Sequence, residues 1–350
     1  MLRGAIIGCG FFARIQMEAW IRVEGAQMAA ACDLDQSKAQ AFAQDFALEA
    51  YMDVGRMLEE QRLDFVDIAT RPSTHVALAR QIASRGLPIL CQKPMAERWE
   101  QAEQLVQAAR DAGVRLMINE NWRWQAWYRF LHRQIEEGAI GRPFGYSIQT
   151  RNRDGLGDSP YANQPYFKSM PRLLVFETLV HHLDTARFLF GDIDEVYCRT
   201  RRLNPAIAGE DAAWILVRHA RGFEGVIDGN RASPPDQPGP AMEIARFEGF
   251  DGVLRLTHRG DVWLGAERLF EGTDLPGYRG DSCRATQQHF VDCLASGAEF
   301  ETEGAEYLNR TFAAVEACYR SAAENRPVRL AEITGQGLRT NSTTPNRSGS

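Results

Sequence analysis

Four short stretches combine residue types and spacings that suit chemistry. Gly8-Cys9-Gly10-Phe11-Phe12-Ala13 is a G-x-G-x-x-A run. Small residues there allow a tight strand-to-helix turn and let a helix N-terminus approach a pyrophosphate. Gly8, Gly10, Phe11 and Phe12 are therefore candidate cofactor contacts. Asp33 closes the next apolar run, where a carboxylate accepts hydrogen bonds from an adenosine ribose and repels a 2′-phosphate. Leu34 beside it brings no cation, so the expectation is NAD rather than NADP. The plain alternative is a glycine turn next to an unrelated capping aspartate.

Thr70-Arg71-Pro72-Ser73-Thr74-His75 follows a further apolar run, at the edge of a parallel sheet where ligands collect. Thr70, Arg71, Pro72 and His75 are candidate cofactor contacts, although Ser73 or Thr74 could simply cap a helix. Cys91-Gln92-Lys93-Pro94 places Gln92 and Lys93 at the same edge, and a lysine there suits polarising or deprotonating a hydroxyl. A solvated surface lysine is the alternative. In LLVFETLVHHLDTARFLFG, Glu177 and His181 stand at i and i+4. On a helix, that carboxylate would orient an imidazole acting as general acid or base. A metal site is the rival, but His181 and His182 point about 100° apart on a helix, so no metal is expected. A satisfied core histidine without chemistry remains open.

Arg123, Trp124, Tyr128, the loop RNRDGLGDSPYANQPYF with Tyr161, and Arg172 form looser polar and aromatic groups. Such a lining suits a polyhydroxylated ligand, and equally a subunit interface. Asn121, at the start of the aromatic segment NWRWQ, is counted with the cofactor contacts.

These residues need elements to position them. The first third alternates apolar runs with helix-like stretches: Leu2 to Gly8, Phe12 to Val23, Ala26 to Cys32, Ser37 to Phe46, Leu63 to Ala69, His75 to Arg85, Pro88 to Cys91, Trp99 to Ala112 and Arg115 to Ile118. Repeated strand–helix units of this kind predict a doubly wound parallel sheet. Beyond Asn119 a helix is predicted to Glu137. From Phe144 to Leu264, runs alternating apolar and polar residues predict an antiparallel sheet with one buried face. Helices are predicted over Leu173 to Phe190, Ser282 to Leu294 and Glu303 to Asn325. The boundaries are 1–120 for the first domain and 121–335 for an α+β second domain, with 336–350 a disordered tail.

The 350 residues are 44% hydrophobic and 25% charged, enough for two packed cores. A net charge of -6 is the wrong sign for holding nucleic acid or anionic lipid. No apolar run reaches the roughly 20 residues that span a bilayer, and glycines interrupt the apolar N-terminus too early for a leader. The 7 cysteines are scattered without a C-x-x-C pair, so neither disulfides nor a zinc knuckle is indicated and a reducing cytoplasm fits best.

The segments GCGFFA, CDLD, ATRPSTH, CQKP and ETLVHHLD, in this order over about residues 1 to 330, resemble the glucose-fructose oxidoreductase / inositol dehydrogenase (Gfo/Idh/MocA) family. That resemblance implies an α/β Rossmann domain followed by an α+β domain whose large, mostly antiparallel open sheet makes dimer or tetramer contacts. It also implies a lysine, an acid and a histidine as the catalytic group, here Lys93, Glu177 and His181. Gln92 stands where the family usually has Glu, and Glu177 where it usually has Asp. QKP, NWRWQ, GED and TQQHFVDCLASG are similar to the branch that acts on D-apiose.

The expected activity is NAD-dependent oxidation of an aldose at its anomeric carbon to a lactone. The sugar would be held by Lys93, Arg123, Tyr161, Arg172, Glu177 and His181. A redox-neutral isomerase or glycosidase, an inositol dehydrogenase and a dinucleotide sensor are the alternatives. The partners expected are a small sugar and further copies of the chain, as a homodimer or homotetramer, without nucleic acid or membrane.

Overall fold

The computed structural model describes residues 1–157, 159–235, 237–272 and 275–335; the tail expected over 336–350 lies outside them. The first unit comprises β1 (Leu2–Ile7), α1 (Phe11–Trp20), β2 (Ala26–Cys32), α2 (Gln36–Phe46), β3 (Glu49–Tyr51), α3 (Val54–Glu60), β4 (Phe65–Ile68), α4 (Pro72–Ala83), β5 (Ile89–Gln92), α5 (Trp99–Asp111) and β6 (Leu116–Asn119). Its six strands run parallel in the order β3-β2-β1-β4-β5-β6. β4, β5 and β6 are wholly buried, as strands covered on both faces must be. The strand order reverses beside β1, which pairs with both β2 and β4, and a crevice opens at such a switch point. The pair β3 and α3 is additional to the elements expected from periodicity, because three- and seven-residue elements are too short to show one.

The second unit contains α6 (Ala126–Glu136), β7 (Pro143–Arg151), α7 (Val180–Phe190), β8 (Ile193–Arg201), β9 (Ala212–His219), β10 (Glu224–Asn230), β11 (Glu243–Gly249), β12 (Val253–Leu256), β13 (Val262–Leu264), β14 (Glu267–Phe270), α8 (Ser282–Ser296), α9 (Gly304–Tyr307), α10 (Ala313–Glu324), β15 (Val328–Arg329) and α11 (Ala331–Thr334). Its nine strands are ordered β14-β13-β12-β11-β7-β10-β9-β8-β15. Among the described residues of this sheet, only β7 and β10 pair in parallel. Alternation puts Ile148, Ile215, Val217, Ile227 and Phe247 in the core with Leu179, Leu183 and Phe190. Trp214, Leu216 and Val226 face outward. α8 returns to the first unit, where Phe290 meets Phe65 edge-on and Gln287 donates to the Gln16 carbonyl.

The helix expected over Leu173 to Phe190 differs in its first turn. Residues Leu174–Leu179 form a π turn before α7 begins. The Glu210 carboxylate accepts from the Leu173 and Val175 N–H groups, and the Phe176 N–H donates to the Tyr319 hydroxyl. Partners remote in sequence thus satisfy a turn start that has no cap of its own. A similar π turn at Leu308–Phe312 interrupts the third expected helix.

Candidate active site

A cavity of about 740 Å³ lies at the carboxyl edge of the parallel sheet and extends to α7. Its first end is built by strand ends. Gly8 sits at φ +99°, where a Cβ would stand 2.8 Å from the Ala69 carbonyl oxygen, so the close approach of β1 to β4 requires glycine. At Gly10 a Cβ would meet nothing within 4 Å, and Gly10 lines the cavity. The N-terminus of α1 has no side-chain cap, so its first N–H groups are free for an anion. Asp33 accepts from the Cys9 and Asp35 N–H groups, both at 2.9 Å, and lines the same cavity with Leu34 and Lys38. Room at Gly10, uncapped amides and an anchored carboxylate fit a dinucleotide. Phe11, Phe12, Thr70, Arg71, Pro72, Gln92 and Asn121 also reach the cavity.

At the second end Lys93, from the end of β5, meets the π turn. Its Nζ donates to the Glu177 carbonyl at 2.8 Å and to Glu177 Oε1 at 2.9 Å, with both side chains nearly buried. This corrects the expectation that Glu177 orients His181. A carboxylate in a desolvated site pairs with an ammonium in preference to a neutral imidazole. His181 is oriented instead by Glu120, next after β6: Nδ1 and Glu120 Oε1 are 2.5 Å apart. The Trp122 ring stacks on the imidazole at 4.2 Å and 17°. Burial first, then the Lys93 cation, push the His181 imidazole well below its usual range, against the pull of Asp184. Burial and Asp184 push Glu120 up to about 8, against the pull of Lys93. His182 turns away to Thr150. Among the described residues no group of three or more His, Cys, Asp or Glu could hold a metal ion.

Four expected contacts lie outside the cavity lining. His75 is fully buried, its ring nitrogens facing the Met95 and Thr70 carbonyls, so it braces the loop that carries Thr70. Arg123 forms a bidentate pair with Asp184, both bonds at 2.7 Å. Arg172 is tied to Glu316 at 2.7 Å. Tyr161 is buried beneath Arg231, whose guanidinium stands 5.0 Å from its ring. In each case a partner invisible to local spacing claims the side chain: backbone carbonyls for His75, opposite charges for Arg123 and Arg172, and a packing surface for Tyr161. Tyr166, Arg231, Thr178, Trp122, Tyr278 and Lys38 line the cavity in addition. Arg231 is held by Asp154 at 2.9 Å and donates to Thr178 at 3.1 Å. Tyr166 lies in the loop already marked as polar and aromatic; Glu120 and Arg231 carry no local signal.

Comparison with known proteins agrees with this geometry. Residues 2–120 match the oxidoreductase family with an NAD-binding Rossmann fold, GFO_IDH_MocA, and residues 128–249 match the GFO/IDH/MocA C-terminal domain. The chain is 36% identical over 353 residues to the D-apiose dehydrogenase of Paraburkholderia graminis, covering 97% of this chain and 93% of that protein. It is 37% identical over 340 residues to the D-apiose dehydrogenase of Rhizobium rhizogenes, covering 93% and 97%. An oxidoreductase from Agrobacterium radiobacter, solved with NAD+, L-tartaric acid and magnesium, superposes with a TM-score of 0.88 at 35% identity, over 95% of this chain and 99% of that one. The chain belongs to the Gfo/Idh/MocA family of NAD-dependent oxidoreductases.

Proposed function

We propose that this protein is an NAD-dependent sugar dehydrogenase that oxidises an aldose, with D-apiose the first candidate, at the anomeric carbon to a lactone. The observation that carries this reading is the convergence of Lys93, Glu177 and His181 on one wall of the cavity that also holds the Gly8–Gly10 turn and Asp33. Bound NAD supplies the acceptor for the hydride that leaves the anomeric carbon. Lys93, ion-paired through Nζ, holds the substrate oxygen. His181 takes the hydroxyl proton at Nε2, because burial keeps the imidazole neutral with a lone pair available. Glu177 anchors Lys93. Thr178, Tyr166 and Arg231 offer the donors and the flat face that a sugar needs.

The test is NADH absorbance with NAD or NADP against a panel of aldoses, including D-apiose, and inositols. Accumulating NADH with one aldose supports the reading. Tight NAD binding without NADH from any sugar overturns it in favour of a redox-neutral enzyme or a sensor.

The outer face of the nine-stranded sheet supports a homodimer or homotetramer. Trp214, Leu216 and Val226 are 45%, 51% and 38% exposed there, and Arg218 and Glu224 flank them across the β9–β10 pairing. Leu216→Glu should lower the mass measured by light scattering; an unchanged mass rejects this face. Seven free thiols, six of them buried, fit a reducing cytoplasm. No described helix is long and apolar enough to cross a membrane.

A further inference from the structure

The general base proposed above lies in a costly place. A buried imidazole that accepts a proton beside Lys93 would set a second cation in a desolvated wall. The structure supplies a counter-charge. Glu120 is fully buried and its Oε1 lies 2.5 Å from His181 Nδ1. Three features hold this contact in register. The Trp122 N–H donates to Glu120 Oε1 at 3.1 Å, the Tyr307 hydroxyl donates to Oε2 at 3.3 Å, and the stacked Trp122 ring blocks rotation of the imidazole. With Nδ1 engaged, Nε2 is the nitrogen left for the cavity.

We propose that Glu120 is a positioning residue that fixes the His181 tautomer with Nε2 unprotonated, and that Glu120 and His181 accept the substrate proton as one unit. The inference rests on the dehydrogenase reading. As the anomeric C–H electron pair leaves as hydride to the nicotinamide and the C=O bond forms, the hydroxyl proton goes to Nε2. The Nδ1 proton shifts toward, or stays shared with, Glu120. The pair then passes from a charge of −1 to 0, and no second cation is created beside Lys93.

Other charged groups face the pair. Lys93 with Glu177 lies across the wall, and Arg123 with Asp184 lies beneath. Arg279 acts on His181 and on Glu243, which holds Trp122 from behind. Tyr307 and His182 complete the surroundings and are neutral: burial pushes the Tyr307 phenol far up and holds the His182 imidazole at about 3. Such a pair titrates in two macroscopic steps that belong to the pair and not to either residue, and the upper one, loss of the shared proton, is the step that frees Nε2.

The test has a kinetic and a spectroscopic arm. The wild-type kcat/KM for the sugar should rise with pH along a limb near the upper step of the pair. Glu120→Gln should lower kcat about 100- to 10,000-fold and move that limb to lower pH, with the NAD Kd unchanged. Glu120→Asp should restore part of kcat. A limb that stays in place, with kcat within about threefold of wild type, overturns the proposal. Independently of turnover, nitrogen-15 NMR of wild-type histidines above the upper step should find His181 neutral with its proton on Nδ1. A proton on Nε2 overturns the proposal even where the variant does not fold. If no sugar is oxidised, the dehydrogenase reading fails by itself, and the tautomer still decides whether Glu120 orients His181.

Discussion

The two ends of the cavity are made of different materials. At the dinucleotide end the working parts are space and backbone: the turn at Gly8 and Gly10, the uncapped start of α1, and one carboxylate anchored by two amides. At the other end they are titratable or charged side chains from separate segments, Lys93, Glu120, Glu177, His181 and Arg231, each held by a partner. The first end therefore tolerates changes in electrostatics better than added volume. The second tolerates little loss of charge, because removing one member leaves its partner buried and unpaired.

The largest expected break falls at the second end. His181→Asn should lower kcat about 100- to 10,000-fold while the NAD Kd changes by less than about twofold, as read by steady-state kinetics and by fluorescence titration with NAD. Equal losses in both would erase the distinction between the ends. Next comes Gly10→Val, which should weaken NAD binding about 100-fold, close to 3 kcal/mol, with little change in Tm, since a Cβ there meets nothing within 4 Å. Gly8→Ala should instead lower Tm, because the residue sits at φ +99° against the Ala69 carbonyl. Arg231→Gln should raise the sugar KM about tenfold without changing the NAD Kd, since it removes a donor from the cavity wall and the cation that pairs Asp154.

The smallest effect concerns a group at neither end. Asp67 is fully buried on β4, hydrogen-bonded by Trp20 at 2.7 Å, and burial pushes its carboxyl up to about 7. A folded-state pKa raised above the unfolded value contributes stability at acid pH, and that stability is lost as pH rises through about 7. Asp67→Asn should therefore melt a few degrees above wild type at pH 9 and show no such advantage at pH 4. A variant whose Tm difference is the same at both values would remove Asp67 from the pH dependence.

Much of the fold is legible along the chain because its signals are local. The run at Gly8 to Ala13, Asp33 after β2 and Lys93 after β5 are set by strand ends, and in a parallel sheet all strand ends with ligand-binding turns share one edge. Alternation along β7 to β11 likewise shows which face is buried. The hairpin of β13 and β14 is too short to announce itself. The π turn at Leu174 to Leu179 depends on Glu210 and Tyr319, which lie far away in sequence.

By itself, then, the sequence determined the parallel sheet, the dinucleotide turn and the presence of a lysine, an acid and a histidine, because turn geometry and periodicity act over a few residues. Only the tertiary structure decided the pairing among them. Glu177 went to Lys93 and Glu120 to His181, while Asp184 claimed Arg123. In a low-dielectric wall each charge takes the partner that packing brings within about 3 Å, and packing is a property of the whole chain.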